Sequence, residues 1–168
     1  MHKPRKLQQN VWYRVGTEVN IGDPLFRLPW TKVLLHRVLR EAKKRFSFEM
    51  RGLKVEGARL TFYIKPNDGL QLPNIMQFLK QTFSIRFNVL TGRSGHVWKN
   101  RYESEILEGE PPAWAKEADW AAVETAAKKP LPTVGVYKLA WVSPRSPWVT
   151  ITIVISVKNV PKPASPPA

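Results

Sequence analysis

The sequence contains no cysteine. Thiolate nucleophiles, disulfides and cysteine-held metals are therefore excluded. It has three histidines, His2, His36 and His96. They fall on an N-terminal arm, a helix and a loop, so no two have the spacing that chelates one ion. No apolar run reaches the roughly 18 residues that a membrane span needs. The longest candidate, residues 148–157, alternates apolar residues with Thr and Ser over a length that suits a strand. The opening "MHKPRKLQQN" is basic but has no apolar segment behind it, so it does not read as a secretory signal. There is no internal repeat. These absences lead us to expect a soluble cytoplasmic protein with no membrane partner.

Acidic residues are scarce where basic ones are dense. The formal net charge is +14, and residues 1–102 hold 20 of the 27 Lys and Arg but only 6 of the 13 Asp and Glu. Residues 103–168 are balanced at 7 of each. Positive charge concentrated on one folded unit is the electrostatic footprint of a polyanion binder. The apolar fraction of 43% is enough to build a packed core.

Along the chain, "NVWYRVGTEVN" (10–20) alternates as a strand, and "NIGDP" is a turn. "PWTKVLLHRVLREAKKR" (29–45) predicts a helix, with Pro29 at its start and cations in its last turn. Leu34, Leu35, Val38, Leu39 and Ala42 share one face of it. Lys32, His36, Arg40 and Lys43 share the other, either as a solvated surface or as a basic stripe with a partner. Residues 46–56 and 58–66 read as two strands joined near Gly57. "PNIMQFLKQTFSIRFNVL" (73–90) predicts a second helix. In it Ile75, Phe78, Leu79, Thr82, Phe83 and Leu90 face inward, while Asn74, Gln77, Lys80, Gln81, Ser84 and Asn88 face out. Residues 101–107 read as a further strand.

This order of elements predicts an α+β, ferredoxin-like βαββαβ fold: an antiparallel sheet with two helices on one face and the other face free for a ligand. We expect a DNA-binding domain over residues 1–108. A divergent extension over 109–160 would hold an acidic, Ala-rich helix from about Pro112 and then two strands. A Pro-rich tail over 161–168 reads as disordered.

Three stretches in this order resemble the REP-associated tyrosine transposases, relatives of the small single-strand insertion-sequence transposases of the HUH class. They are "VWYRVGTEVNIGDPLF", "GLQLPNIMQFLKQTFSIRFN" and "GRSGHVWKNRYESEIL". The resemblance covers roughly residues 8–108. It is carried by Met76, Lys80, Phe87-Asn88, the Gly92-Arg93-x-Gly95-His96 block, Trp98 and Arg101-Tyr102. It implies the same ferredoxin-like fold and DNA, hairpin or single-stranded, as the partner. It also implies strand cleavage by a tyrosine, assisted by Mg or Mn on a His-hydrophobic-His pair. It leaves a homodimer open.

Two of the implied parts are missing from this sequence. The positions that match the His pair are Arg59 and Thr61, so we expect no metal site and no resident cofactor. The helix tyrosine falls in "PPAWAKEADWAAVETAAKK", which contains none. Tyr102 matches a tyrosine that is not the family's nucleophile; with the helix tyrosine absent, a rescue would fall to Tyr63, Tyr102 or Tyr137. We therefore expect a DNA-binding protein without strand-cleaving chemistry. Its candidate contacts are Arg59, Arg86, Arg93, His96, Trp98, Lys99 and Arg101. The cations would neutralise phosphates. Trp98 would either stack on a base or pack in the core. Arg86 would either snorkel out of an apolar arc or reach a phosphate. The alternatives are an active enzyme with a rebuilt site and a regulatory module. In the latter the acidic segment 103–124 could fold back on the basic face. RNA binding is disfavoured by the lack of an aromatic RNP pattern.

Overall fold

In the computed structural model, residues 6–20, 25–99, 101–132, 141–142 and 150–151 are described. The core unit runs β1 (Tyr13–Glu18), α1 (Pro29–Arg45), β2 (Phe48–Glu56), β3 (Arg59–Pro66), α2 (Leu72–Thr91) and β4 (Glu103–Ile106). The strands form one sheet in the order β2-β3-β1-β4, with every neighbouring pair antiparallel. This is the expected ferredoxin-like arrangement, and both long helices lie within a residue of their expected bounds.

Period-two alternation assigns the two sheet faces. Tyr13 and Val15 on β1, and Leu60, Phe62 and Ile64 on β3, are buried. They meet Leu34, Val38, Leu39 and Ala42 of α1 and Ile75, Met76, Leu79 and Phe83 of α2 in one core. Full burial of an aliphatic or aromatic side chain of this kind contributes about 1.5–3 kcal/mol. The opposite face carries Arg14, Gly16, Arg59, Thr61, Glu103 and Glu105, because Gly16 is registered with both Thr61 and Glu103. α1 starts with Pro near its N-terminus, where a missing N–H costs nothing. α2 ends at Gly92, whose φ of 66° is the left-handed conformation glycine adopts most cheaply.

The chain after β4 packs back onto this unit. Trp12, Tyr63 and Ala115 form a small cluster on the otherwise open sheet face, so that face is only partly free. Residues 115–118 then run along the outer edge of β2: Gly52 N–H donates to Lys116 O at 2.9 Å and Ala118 N–H to Met50 O at 2.9 Å. An exposed strand edge is thereby covered. α3 (Trp120–Ala127) follows and lies against α1, with Val123 and Ala127 buried.

The helix expected from Pro112 thus begins eight residues later, at Trp120. The intervening backbone is committed to the β2 edge. Asp119 caps the helix start, its Oδ1 accepting from Ala122 N–H at 3.0 Å. The two expected C-terminal strands are described only at β5 (Trp141–Val142) and β6 (Thr150–Ile151), which pair antiparallel. The Pro-rich tail lies outside the described residues.

Candidate nucleic-acid interface

After α2 the chain reverses and runs back beside it. Asn88 Nδ2 donates to Gly95 O at 3.0 Å and pins the turn. Gly95 has φ of 94° with open space around it. The chain then adds to the end of β1: Asn20 N–H donates to Val97 O at 2.6 Å and Lys99 N–H to Glu18 O at 2.8 Å. Val97 is buried and anchors the segment.

Trp98 anchors it a second time. Its ring lies 5.3 Å from Phe83 and 6.3 Å from Phe26, and its indole N–H donates to Lys80 O at 2.9 Å. Lys80 Nζ sits 5.8 Å from the same ring. The half-buried Trp98 is thus tied into the core.

Between α2 and this segment lies a cleft of about 660 Å³. Gln77, Lys80, Gln81 and Ser84 line it from α2, and His96, Trp98, Lys99 and Arg101 from the other side. Lys99 and Arg101 also border a neighbouring depression on the sheet face, shared with Gly16, Arg59 and Glu103. The two hollows meet at this pair of cations. Lys99 has a loose ion pair to Glu18 at 3.7 Å with its side chain about half exposed, so it is able to exchange partners.

Four of the candidate residues, His96, Trp98, Lys99 and Arg101, therefore come together. Arg93 is exposed at the turn just past α2. Arg59 stands on the sheet face, where its Nη2 donates to Glu103 Oε2 at 2.9 Å. Arg86 points toward α1, where it forms a bidentate pair with Glu41 at 2.7 and 2.8 Å. That pair gives the Arg86 cation a partner inside the fold. It also holds the Glu41 carboxyl below its ordinary range, first through the hydrogen bond from Arg86.

On the sheet face the Arg59 guanidinium is paired with Glu103 at 2.9 Å, and Thr61 borders the same depression. No group of three His, Cys, Asp or Glu poised to hold an ion occurs among the described residues. Tyr63 and Tyr102 are only 5% and 8% exposed, and Tyr137 lies outside the described residues. His36 is half-buried between α1 and α3, far along the chain from exposed His96.

The helical period puts Gln77, Lys80 and Gln81 on the outer face of α2 but gives them no role. The signal that links them to the site is the return of residues 95–99 alongside α2, which no local pattern encodes.

No protein-family profile matches this sequence, and no curated protein matches it. Among solved structures the fold is similar to that of a REP-associated tyrosine transposase bound to a REP hairpin, with a TM-score of 0.49 and 10% sequence identity. The likeness covers 66% of this chain and spans 64% of that one. Among the described residues no helix is long and apolar enough to cross a membrane.

Proposed function

We propose that this is a transposase-like DNA-binding protein that holds hairpin or single-stranded DNA without cutting it. The observation that carries the reading is the cleft between α2 and residues 95–101, lined by Lys80, Lys99 and Arg101. It lies on the part of the chain that bears all of the excess positive charge. Each phosphate neutralised there releases condensed counterions, so affinity falls steeply with salt. The non-cleaving half of the reading rests on Arg59 and Thr61 at the positions where the resembling family has its histidines. The burial of Tyr63 and Tyr102, which hinders in-line attack on a phosphodiester, supports it further.

One assay tests both halves. Labelled hairpin and single-stranded DNA are mixed with the protein, with and without Mn²⁺ or Mg²⁺. Retention is read on a native gel and covalent adduct on a denaturing gel. We expect salt-sensitive retention, indifferent to metal, with no adduct. Lys99→Ala and Arg101→Ala should each weaken retention and flatten the slope of log affinity against log salt by about 0.7–0.9. Absence of salt-sensitive binding sinks the DNA-binding half, and a metal-dependent adduct sinks the other.

A further inference from the structure

The outward stripe of α2 has an unusual make-up for so charged a protein. Asn74, Gln77, Gln81, Ile85 and Val89 are all exposed and recur at three- and four-residue spacing, so they share one helix face. None carries a charge, in a chain whose residues are 24% charged. Ile85 and Val89 are 56% and 60% exposed although aliphatic. The side-chain carboxamides of Gln77 and Gln81, which line the cleft, make no hydrogen bond to any of the described residues. Cations flank the stripe on the cleft side, with Lys80 next to it and Lys99 and Arg101 across the cleft.

Solvation alone would favour lysine or glutamate at such positions. Carboxamides and bare aliphatics, bordered by cations, are what the edges of base pairs recognise. A Gln or Asn amide pairs with N6 and N7 of adenine, and an aliphatic surface meets the thymine methyl. A helix of about 10–12 Å diameter fits the roughly 12 Å major groove of B-form DNA. From Gln77 to Val89 the stripe rises about 18 Å, the height of roughly five stacked base pairs. The deep, narrow major groove of RNA does not admit such a helix.

Resting on the DNA-binding reading above, we infer that α2 reads base-paired DNA, with Gln77 and Gln81 as the specificity-determining residues, Ile85 and Val89 meeting thymine methyls, and Lys99 and Arg101 gripping the flanking phosphates.

The test is selection from a pool of DNA hairpins with randomised stems. It is followed by competition of the enriched stem against a scrambled one for wild type, Gln77→Ala/Gln81→Ala and Lys99→Ala. Both glutamines are exposed on a helix, where alanine is the best former, so the double variant keeps the fold. We expect enrichment at paired positions and a preference that drops about 5- to 100-fold in the double variant, with the loss of affinity larger for the enriched stem than for the scrambled one. Lys99→Ala should weaken both stems alike. An unchanged preference in the double variant overturns the inference and leaves the stripe to a protein partner. Enrichment confined to unpaired positions overturns it too. Salt-sensitive binding with no sequence preference overturns the inference but leaves the DNA-binding function standing. No DNA binding at all removes both.

Discussion

Arg86 shows how a residue's neighbours decide its role. From spacing it is a cation in an apolar arc, open to a phosphate. In the fold its guanidinium bridges α2 to α1 through Glu41. Both side chains keep more than a third of their surface exposed, so the pair is worth about 1 kcal/mol or less. Glu41 has a lowered pKa, so its contribution is present above the ordinary carboxylate range and is lost as pH falls through the lowered value. Denaturant melts across acid pH should therefore show a limb that Glu41→Gln removes, and Arg86→Met should leave DNA affinity unchanged. A large affinity loss in Arg86→Met would return it to the interface. His36 has the opposite sign. Burial, with Lys129 and Lys32 nearby, lowers its pKa below 6.5, partly offset by a hydrogen bond to the Lys32 backbone. The folded state favours the neutral ring. Stability should be full above about pH 6.5 and decline as pH falls from there toward the lowered value. His36→Leu should flatten that window in urea unfolding. A slope that persists would place its source elsewhere.

At the scale of elements, the segment after β4 closes the β2 edge and screens α1. Arg37 donates to Ala127 O and Lys129 O at 2.9 and 2.7 Å, at the negative end of the α3 dipole. Arg40 pairs with Glu124 at 3.3 Å, and Lys43 lies 5.2 Å from the Trp120 ring. Arg40 and Lys43 of the basic face of α1 are thus engaged from within the fold, while Lys32 stays exposed. Docking depends on Gly52, whose φ is 60° and whose missing Cβ would lie 2.8 Å from Ala115 Cβ. Gly52→Ala should cost about 1–3 kcal/mol in chemical denaturation and speed proteolysis after residue 110. A neutral result would mean that the 112–118 segment is not held by this contact.

Across the whole molecule, the acidic stretch 103–124 is folded onto the basic part. Glu105, Glu124, Glu110 and Glu103 pair with Arg14, Arg40, Arg51 and Arg59 at 3.8, 3.3, 2.9 and 2.9 Å. Arginines that a charge count assigns to a polyanion therefore already face carboxylates over much of the sheet. The cleft cations Lys99 and Arg101 lie outside those four pairs. Glu103→Gln/Glu105→Gln would release Arg14 and Arg59 beside the Lys99–Arg101 ridge. Affinity for scrambled DNA should then rise several-fold and its salt slope steepen by about 1–2. No change would mean that the sheet face stays away from the nucleic acid and that the α2 side alone makes contact.

The order of elements, the bounds of α1 and α2 and the regional charge were legible in the sequence alone. They are set by local rules: period 2 against period 3.6, Pro at a helix start, Gly at a helix end. Asn74, Gln77 and Gln81 were legible as outer residues of α2 for the same reason, whereas the exposed Ile85 and Val89 were not, because an aliphatic side chain carries no sign of facing water. What covers or meets an outer face was not legible. Residues 95–99 come to lie beside α2, residues 115–118 along β2 and α3 across α1, through contacts between positions far apart in the chain. Such contacts form only once the core has packed. Local propensity therefore placed a helix start at Pro112, whereas the bare β2 edge took that backbone as a partner. Charge obeys the same division. The sequence determined how many cations there are, and only the tertiary structure decided which are held against carboxylates and which border the cleft, Lys99 with no more than a loose pair to Glu18.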